Sequence, residues 1–248
     1  AFITLGVVIF LPFNRAFARS IERLLPEQGP RLTRHLDDTL LQAPAVALES
    51  TRRTLIVTTL ETIGLLNHLL SSAVARVSEP QRVEVKDALK TTQHFFAKIP
   101  PITDDEPLSR SRMAQLHAID HLARLLTRLN LSIATRKVMA QPALHGALTR
   151  CQKALVLARQ GLLNRVSPQW MMQMERQAQA LAELRHDERL VILRRTAHGK
   201  QSPFDALEAL DAIRWLERVT YHTWRLCHYL AEEEAENSEM EPPDSLDE

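Results

Sequence analysis

The chain has 248 residues, 45% of them hydrophobic and 25% charged, enough to bury one or two cores and too apolar overall for a disordered protein. Six glycines and twelve aromatic residues amid abundant Leu, Ala and Arg exclude a sandwich, a barrel or a glycine-looped nucleotide fold, and leave an all-α protein as the expectation. The formal charge of +1 hides a division: residues 232–248 carry nine acids and no Lys or Arg, which leaves 31 basic against 21 acidic residues in 1–231, a balance of +10. Of the bases, 25 are Arg, scattered and not blocked, with no recognition motif beside them. Such a field suits an anionic membrane surface, and nucleic acid is not an expected partner. Cys151 and Cys227 are separated by 75 intervening residues and have no Cys-x-x-Cys partner, so neither a disulfide framework nor a zinc finger is expected.

In chain order, Ala1 to Phe13 (AFITLGVVIFLPF) is apolar, uncharged and shorter than the roughly 20 residues a bilayer crossing needs. It reads either as the last turns of a transmembrane helix that begins upstream or as a buried N-terminal helix. Pro12, Asn14 and Arg15 end the run, and the residues after it favour the first reading. Arg15, Arg19 and Arg23 recur every fourth residue, with Phe13, Phe17, Ile21, Leu24 and Leu25 on another face, the pattern of a basic helix in contact with a membrane surface. Arginines just beyond an apolar run place that side in the cytoplasm. Residues 26–44, with three prolines and a glycine, predict an extended linker, and the folded domain is expected over 45–231.

Six helices are expected in that domain. The first runs from Ala45 to about Val77 on the stripe Ile56, Leu60, Ile63, Leu66, Leu70 and Val74. Ser78 and Pro80 start the second, striped by Val85, Leu89, Thr92, Phe96 and Ile99 and closed by Pro100-Pro101. A third opens at Ser109 and continues for about seven turns along Met113, Leu116, Ile119, Leu122, Leu126, Leu129 and Ile133, ending before Gln141-Pro142. The fourth carries Leu144, Leu148, Cys151, Leu155, Ala158 and Leu162, which puts Cys151 in the core. Ser167-Pro168 starts the fifth, striped by Met174, Ala178, Leu181, Leu184 and Val191 and ended at His198-Gly199-Lys200. Ser202, Pro203 and Asp205 open the sixth, which reaches about Ala231 before a disordered acidic tail, 232–248.

Three helices followed by three suggest a duplication, repeat one over 45–140 and repeat two over 141–231. At an offset of 94 residues Leu116, Ala118, Ile119, Leu122 and Arg124 coincide with Leu210, Ala212, Ile213, Leu216 and Arg218. The expected architecture is two tandem three-helix bundles.

On these residues the chain resembles the PhoU family of bacterial phosphate-uptake regulators, whose repeats close on a helix with a sequence like Leu-Glu-Arg-Ile-Gly-Asp-His. Here it is Leu216-Glu217-Arg218-Val219-Thr220-Tyr221-His222. The junction FLPFNRAFARSIERLLP, then LLQAPAVALESTRR, and the stretch LDAIRWLERVTYHTWRLCHYL are similar to bacterial sodium/phosphate cotransporter family proteins, in which a transmembrane half leads into a C-terminal PhoU-like domain. The resemblance implies a cytosolic regulatory or assembly portion of a sodium-dependent phosphate transporter at the bacterial inner membrane. Its implied partner is its own upstream transmembrane domain, through which sodium and phosphate would be handled, and self-association into a homo-oligomer is left open. The alternatives are a soluble PhoU-like adaptor and, third, a metal-binding helical protein. The resemblance also implies Glu and Asp ligands four apart on the closing helices; Glu217 is kept, but Tyr221, Ala123 and Thr127 stand at the other positions.

No cofactor is expected, with a metal ion as the one exception to test. Glu217 and His222, and His117 with His121 four residues on beside Asp120, are the secondary metal candidates. Arg214, Arg218 and Arg225 form a stripe on the sixth helix suited to an anion or a partner, since guanidinium forks bind carboxylate and phosphate. A matching polar stripe, His117, Asp120, His121, Arg124 and Arg128, lies on the third. Glu183 and His186 make one Glu-x-x-His motif where a di-iron bundle needs two. With no phosphate loop, Gly-x-Ser-x-Gly or His-Glu-x-x-His, no enzyme and no catalytic residue is expected. Met171, Met172 and Met174 beside Trp170, and Trp215 and Trp224, are expected to be packing residues.

Overall fold

Helix boundaries in the computed structural model, which describes residues 30–102, 105–164 and 169–231, follow local chemistry written in the chain. Among the described residues seven α-helices and no strand occur: α1 (Pro44–Ser71), α2 (Glu79–Lys98), α3 (Glu106–Thr127), the short α4 (Ile133–Met139), α5 (His145–Asn164), α6 (Gln169–Ala197) and α7 (Pro203–Ala231). Ser78 and Gln81 cap α2 reciprocally, each side chain meeting the other's backbone N–H. Asp105 caps α3 by accepting from Leu108 N at 3.0 Å, so that helix opens a turn earlier than Ser109. Gly199, at φ +68°, ends α6 in the left-handed region that a side chain would strain, with Lys200 N donating to Arg195 O at 2.9 Å. Ser202 accepts from Asp205 N at 3.1 Å and opens α7.

Helices α1, α2 and α3 pack on one another, as do α5, α6 and α7, and the two units fuse along α3 against α7 and α1 against α5 into one continuous core. The all-α architecture of two three-helix units is therefore present. Residues 1–25 and the acidic tail 232–248 lie outside the described residues, as does Ser167-Pro168, so the membrane-surface contacts expected of Arg15, Arg19 and Arg23 do too.

Three sequence expectations are corrected. The third helix is not continuous over seven turns: it stops at Thr127, and Ser132 caps a separate α4 by accepting from Thr135 N at 3.0 Å. Asn130 and Ser132 offer local side-chain partners that compete with helix continuation, and the apolar spacing through Leu126, Leu129 and Ile133 conceals this. The segment expected as an extended linker instead folds from Pro30 onward into a turn and a 3-10 helix, Asp38–Gln42. Leu32 is buried in the core, Arg31 reaches Glu61 (3.1 Å) and Glu84 (3.3 Å), and Lys98 reaches Asp38 (2.8 Å), so the folded domain begins before residue 45.

The third correction concerns faces. Val74 lies beyond the end of α1 and is 73% exposed, and Met113 and Leu116 on α3 and Val191 on α6 are exposed as well. The buried face of α1 is instead a mixed seam of Leu48, Leu55, Ile63 and Leu66 with Thr51, Thr54, Thr58, Thr59 and Thr62. Four of those threonines donate to the carbonyl one turn back, Thr51 to Ala47, Thr54 to Ser50, Thr58 to Thr54 and Thr62 to Thr58, at 2.8–3.0 Å. A hydroxyl satisfied by its own helix buries like a small apolar group, which is why a hydropathy stripe misses it. By length and composition α1 is apolar enough to cross a membrane, yet more than half of that stretch is buried inside the bundle.

The stripes of α2 and α5 hold: Val85, Leu89, Thr92, Phe96 and Ile99 are buried, and Cys151 is fully buried beside Leu155 and Ala158. Burial pushes the Cys151 thiol up to about 12 and raises Cys227 as well, so both are inert packing residues at neutral pH. Trp170 donates its indole N–H to Leu157 O at 2.8 Å and lies against Gly161, and Trp215, Trp224 and Met174 are buried; Met172 is exposed.

Candidate functional site

The seam where α3 meets α7 gathers most of the polar side chains singled out in the sequence. Its inner layer is apolar and duplicated: Ala118, Ile119 and Leu122 from α3 and Ala212, Ile213 and Leu216 from α7 are all buried, the same register of each repeat. Because these residues hold the two helices together, the positions flanking them also converge. An open cleft of about 400 Å³ results, lined by Ala123, Arg124 and Thr127 from α3, by Arg128 at its C-terminal cap and by Arg218 and His222 from α7. Arg124 and Arg218 are equivalent at the 94-residue offset, and so are Arg128 and His222. Three guanidinium groups and no carboxylate are among the described residues of the lining.

A buried carboxylate lies behind the lining, beside Arg218. Glu217 is 2% exposed, its Oε2 is 3.7 Å from Arg218 Nε, and that oxygen accepts no hydrogen bond among the described residues. Burial raises its carboxyl above the usual carboxylate range, opposed by the positive charges of Arg185, Arg218, Arg128 and Arg214. Across the seam, burial and then repulsion from Arg218 lower the Arg128 guanidinium, with Glu217 opposing. Arg128 Nε is buried without a hydrogen-bond partner among the described residues. Arg124 sits farther out, half-exposed and paired with Asp120 one turn back at 2.9 Å.

Beside the cleft lies a compact aromatic and imidazole layer. His121 Nδ1 and His222 Nδ1 are 3.1 Å apart, a hydrogen bond in which one ring donates and the other accepts. Burial above all, then the charge of Arg225, holds His121 down to about 4; burial, then His121 and the arginines 124, 128 and 218, holds His222 down to about 3. Both rings are therefore neutral at pH 7, one carrying its proton on Nδ1 and the other presenting the Nδ1 lone pair. Tyr229 stacks on His117 at 4.7 Å and on His121 at 5.7 Å. Arg225 lies over the Tyr229 ring at 4.9 Å and the Trp224 ring at 5.7 Å.

The residues singled out in the sequence thus divide. His121 and His222 come together, but with each other, while His117 is drawn onto Tyr229. Among the described residues no group of three or more His, Cys, Asp or Glu side chains is arranged to hold a metal. Of the arginine stripe, Arg218 lines the cleft, and Arg214 is exposed and paired with Asp211 at 3.4 Å outside it. Arg225 is corrected: at 8% exposure it is a buried residue stacked on aromatic rings and not a surface contact, because α7 is covered on that side by α3 and its aromatic neighbours. Glu183 and His186 are exposed on α6. The cleft's remaining cations, Arg124 and Arg128, were legible only as a polar stripe; extending the repeat alignment four residues, from Arg124 and Arg218 to Arg128 and His222, is the signal that finds them. Comparison of the chain with family models, curated proteins and solved structures returns no match.

Proposed function

We propose that this chain is the cytosolic regulatory or assembly portion of a sodium-dependent phosphate transporter in a bacterial inner membrane. The observation that carries the reading is the seam between the repeats, where equivalent positions of α3 and α7 converge on an arginine-lined cleft. A cleft at the junction of two packed units is a place where occupancy changes how one unit sits on the other, which is how a regulatory module communicates. The +10 balance of residues 1–231 and the arginine-bearing stretch Arg15 to Arg23 support a position against an anionic lipid surface. In this reading the bundle carries out no chemical step, and translocation belongs to the membrane half.

A soluble adaptor is the second reading, favoured by one feature: the core closes over α1 with the help of Leu32, so this bundle buries its most apolar helix without lipid. An immunoblot of native cell fractions with an antibody against residues 45–231 separates the two. The transporter reading predicts a band well above 28.2 kDa that only detergent releases from membranes, and sodium-driven phosphate uptake that changes when the bundle is deleted. A soluble band near 28.2 kDa overturns it in favour of the adaptor.

A further inference from the structure

We infer that the cleft between α3 and α7 binds a phosphoryl dianion, held between the guanidinium groups of Arg128 and Arg218 with Arg124 at the outer edge and His222 in the wall. The inference deepens the regulatory reading, on which its physiological meaning rests, by naming the chemistry the seam senses.

Charge comes first. The described lining holds three permanent cations, of which Arg124 is paired with Asp120 outside the lining at 2.9 Å, and no carboxylate, and its neutral imidazole adds neither sign at pH 7. Glu217 lies behind this surface, close enough to Arg218 to hold its guanidinium in place yet too deep to fill the cleft itself. Two arginines facing each other across a half-buried seam repel, and a dianion between them turns that repulsion into two attractions.

Hydrogen bonding points the same way. Arg128 Nε is a buried donor with no acceptor among the described residues, a condition that costs stability until an acceptor arrives. Guanidinium forks from two helices match an anion that presents several oxygens in different directions, which a phosphoryl group does and a single carboxylate does not. The duplication explains how such a site arises: positions 124 and 128 of one repeat and 218 and 222 of the other reach one volume because the apolar register behind them is shared.

Size sets the class of ligand. At about 400 Å³ the cleft falls within the roughly 300–1,000 Å³ typical of small-molecule pockets and exceeds what a bare phosphate fills. The phosphoryl group is therefore carried either by free orthophosphate with water around it or by a small phosphorylated molecule, and the test has an arm for each.

The experiment is isothermal titration of the full chain, in detergent, with inorganic phosphate and separately with adenosine 5′-monophosphate. At least one probe is expected to saturate at one site per chain. Arg128→Gln and Arg218→Gln should each weaken it by about tenfold or more, the scale of a lost charge-assisted hydrogen bond. Arg128→Lys and Arg218→Lys keep the charge, disturb the fold least, and should still weaken binding because the fork is lost. Arg214→Gln, outside the cleft, should leave it unchanged. Saturation by inorganic phosphate identifies the free ion, and saturation by the nucleotide alone identifies a phosphorylated small molecule. No saturable binding of either probe, or an equal loss on Arg214→Gln, overturns the site. Failure of the transporter reading shows separately, as a soluble band in the fractionation with titration intact.

Discussion

Helices α3 and α7 occupy the same place in their repeats and share a register, yet they solve different packing problems. Helix α3 buries one stripe, from Ala114 to Leu125, and leaves Met113, Leu116 and Arg124 exposed. Helix α7 is contacted by α3, α4, α5 and α6 and is buried on almost every side from Trp215 to Leu230, including Glu217, His222 and Arg225. The equivalents of those three in the first repeat are Ala123, Arg128 and Leu131. The two helices share an apolar seam at matching register, and position in the bundle decides which of them keeps its charges in water. The more exposed copy supplies two of the cleft's three arginines, and the enclosed copy supplies the third, Arg218, together with the buried carboxylate and the neutral imidazole.

The largest effect tests whether the seam is shared equally. Leu122 and Leu216 are both fully buried at equivalent positions, so Leu122→Ala and Leu216→Ala should each cost about 3 kcal/mol in urea-unfolding stability. A cost below about 1 kcal/mol at one of them would break the equivalence.

A second contrast sets α5 against α1, the opening helices of the two units. An added Cβ at Gly161 would lie 1.8 Å from Trp170 Cε2, so Gly161→Ala must displace the indole and its bond to Leu157 O. A loss of about 2 kcal/mol is expected, read as a lower midpoint in thermal or urea unfolding.

The acid response distinguishes His222 from its equivalent, Arg128. Both His121 and His222 are held below their ordinary value in the fold, to about 4 and about 3. Asp120, Arg124 and His117 on α3 and Arg218 and Arg225 on α7 face this pair, together with Arg128 across the cleft. As pH falls, the unfolded chain takes up protons near 6.5 while the folded pair resists, so stability present above pH 6.5 drains away toward pH 4. His121 is part-exposed, so a slope of about 1 kcal/mol per pH unit is expected for the pair together. Comparing urea midpoints at pH 7 and pH 5 checks it, and His121→Gln with His222→Gln should flatten the slope.

The smallest effect has the opposite sign. Gly64 on α1 is exposed, and nothing lies within 4 Å of where its Cβ would be, so Gly64→Ala should stabilise by about 0.5–1 kcal/mol, measured as a raised Tm.

Helix ends were legible in the sequence because they depend on neighbours: Ser78 with Gln81, Ser202 with Asp205, and Gly199 each act within a few residues. Helix faces were less so. Counting apolar residues missed the threonine seam of α1, whose hydroxyls are satisfied by their own helix, and carried the third helix through Asn130 and Ser132. For the site, His121, His222, Arg218 and Glu217 were each visible as polar residues on a helical stripe. Their pairing was not, since the His121–His222 bond spans 101 residues and depends on how two units dock. Arg225 shows the limit most plainly: its spacing matches Arg218, and only the covering aromatic rings show that it faces inward.

Hydrogen exchange of the full chain with and without saturating inorganic phosphate tests the central claim most directly, that the seam between α3 and α7 is where this protein senses a ligand. Slower exchange confined to residues 118–128 and 213–223, absent in Arg128→Gln, is the predicted result. Protection elsewhere in the bundle, or the same protection in Arg128→Gln, would contradict it.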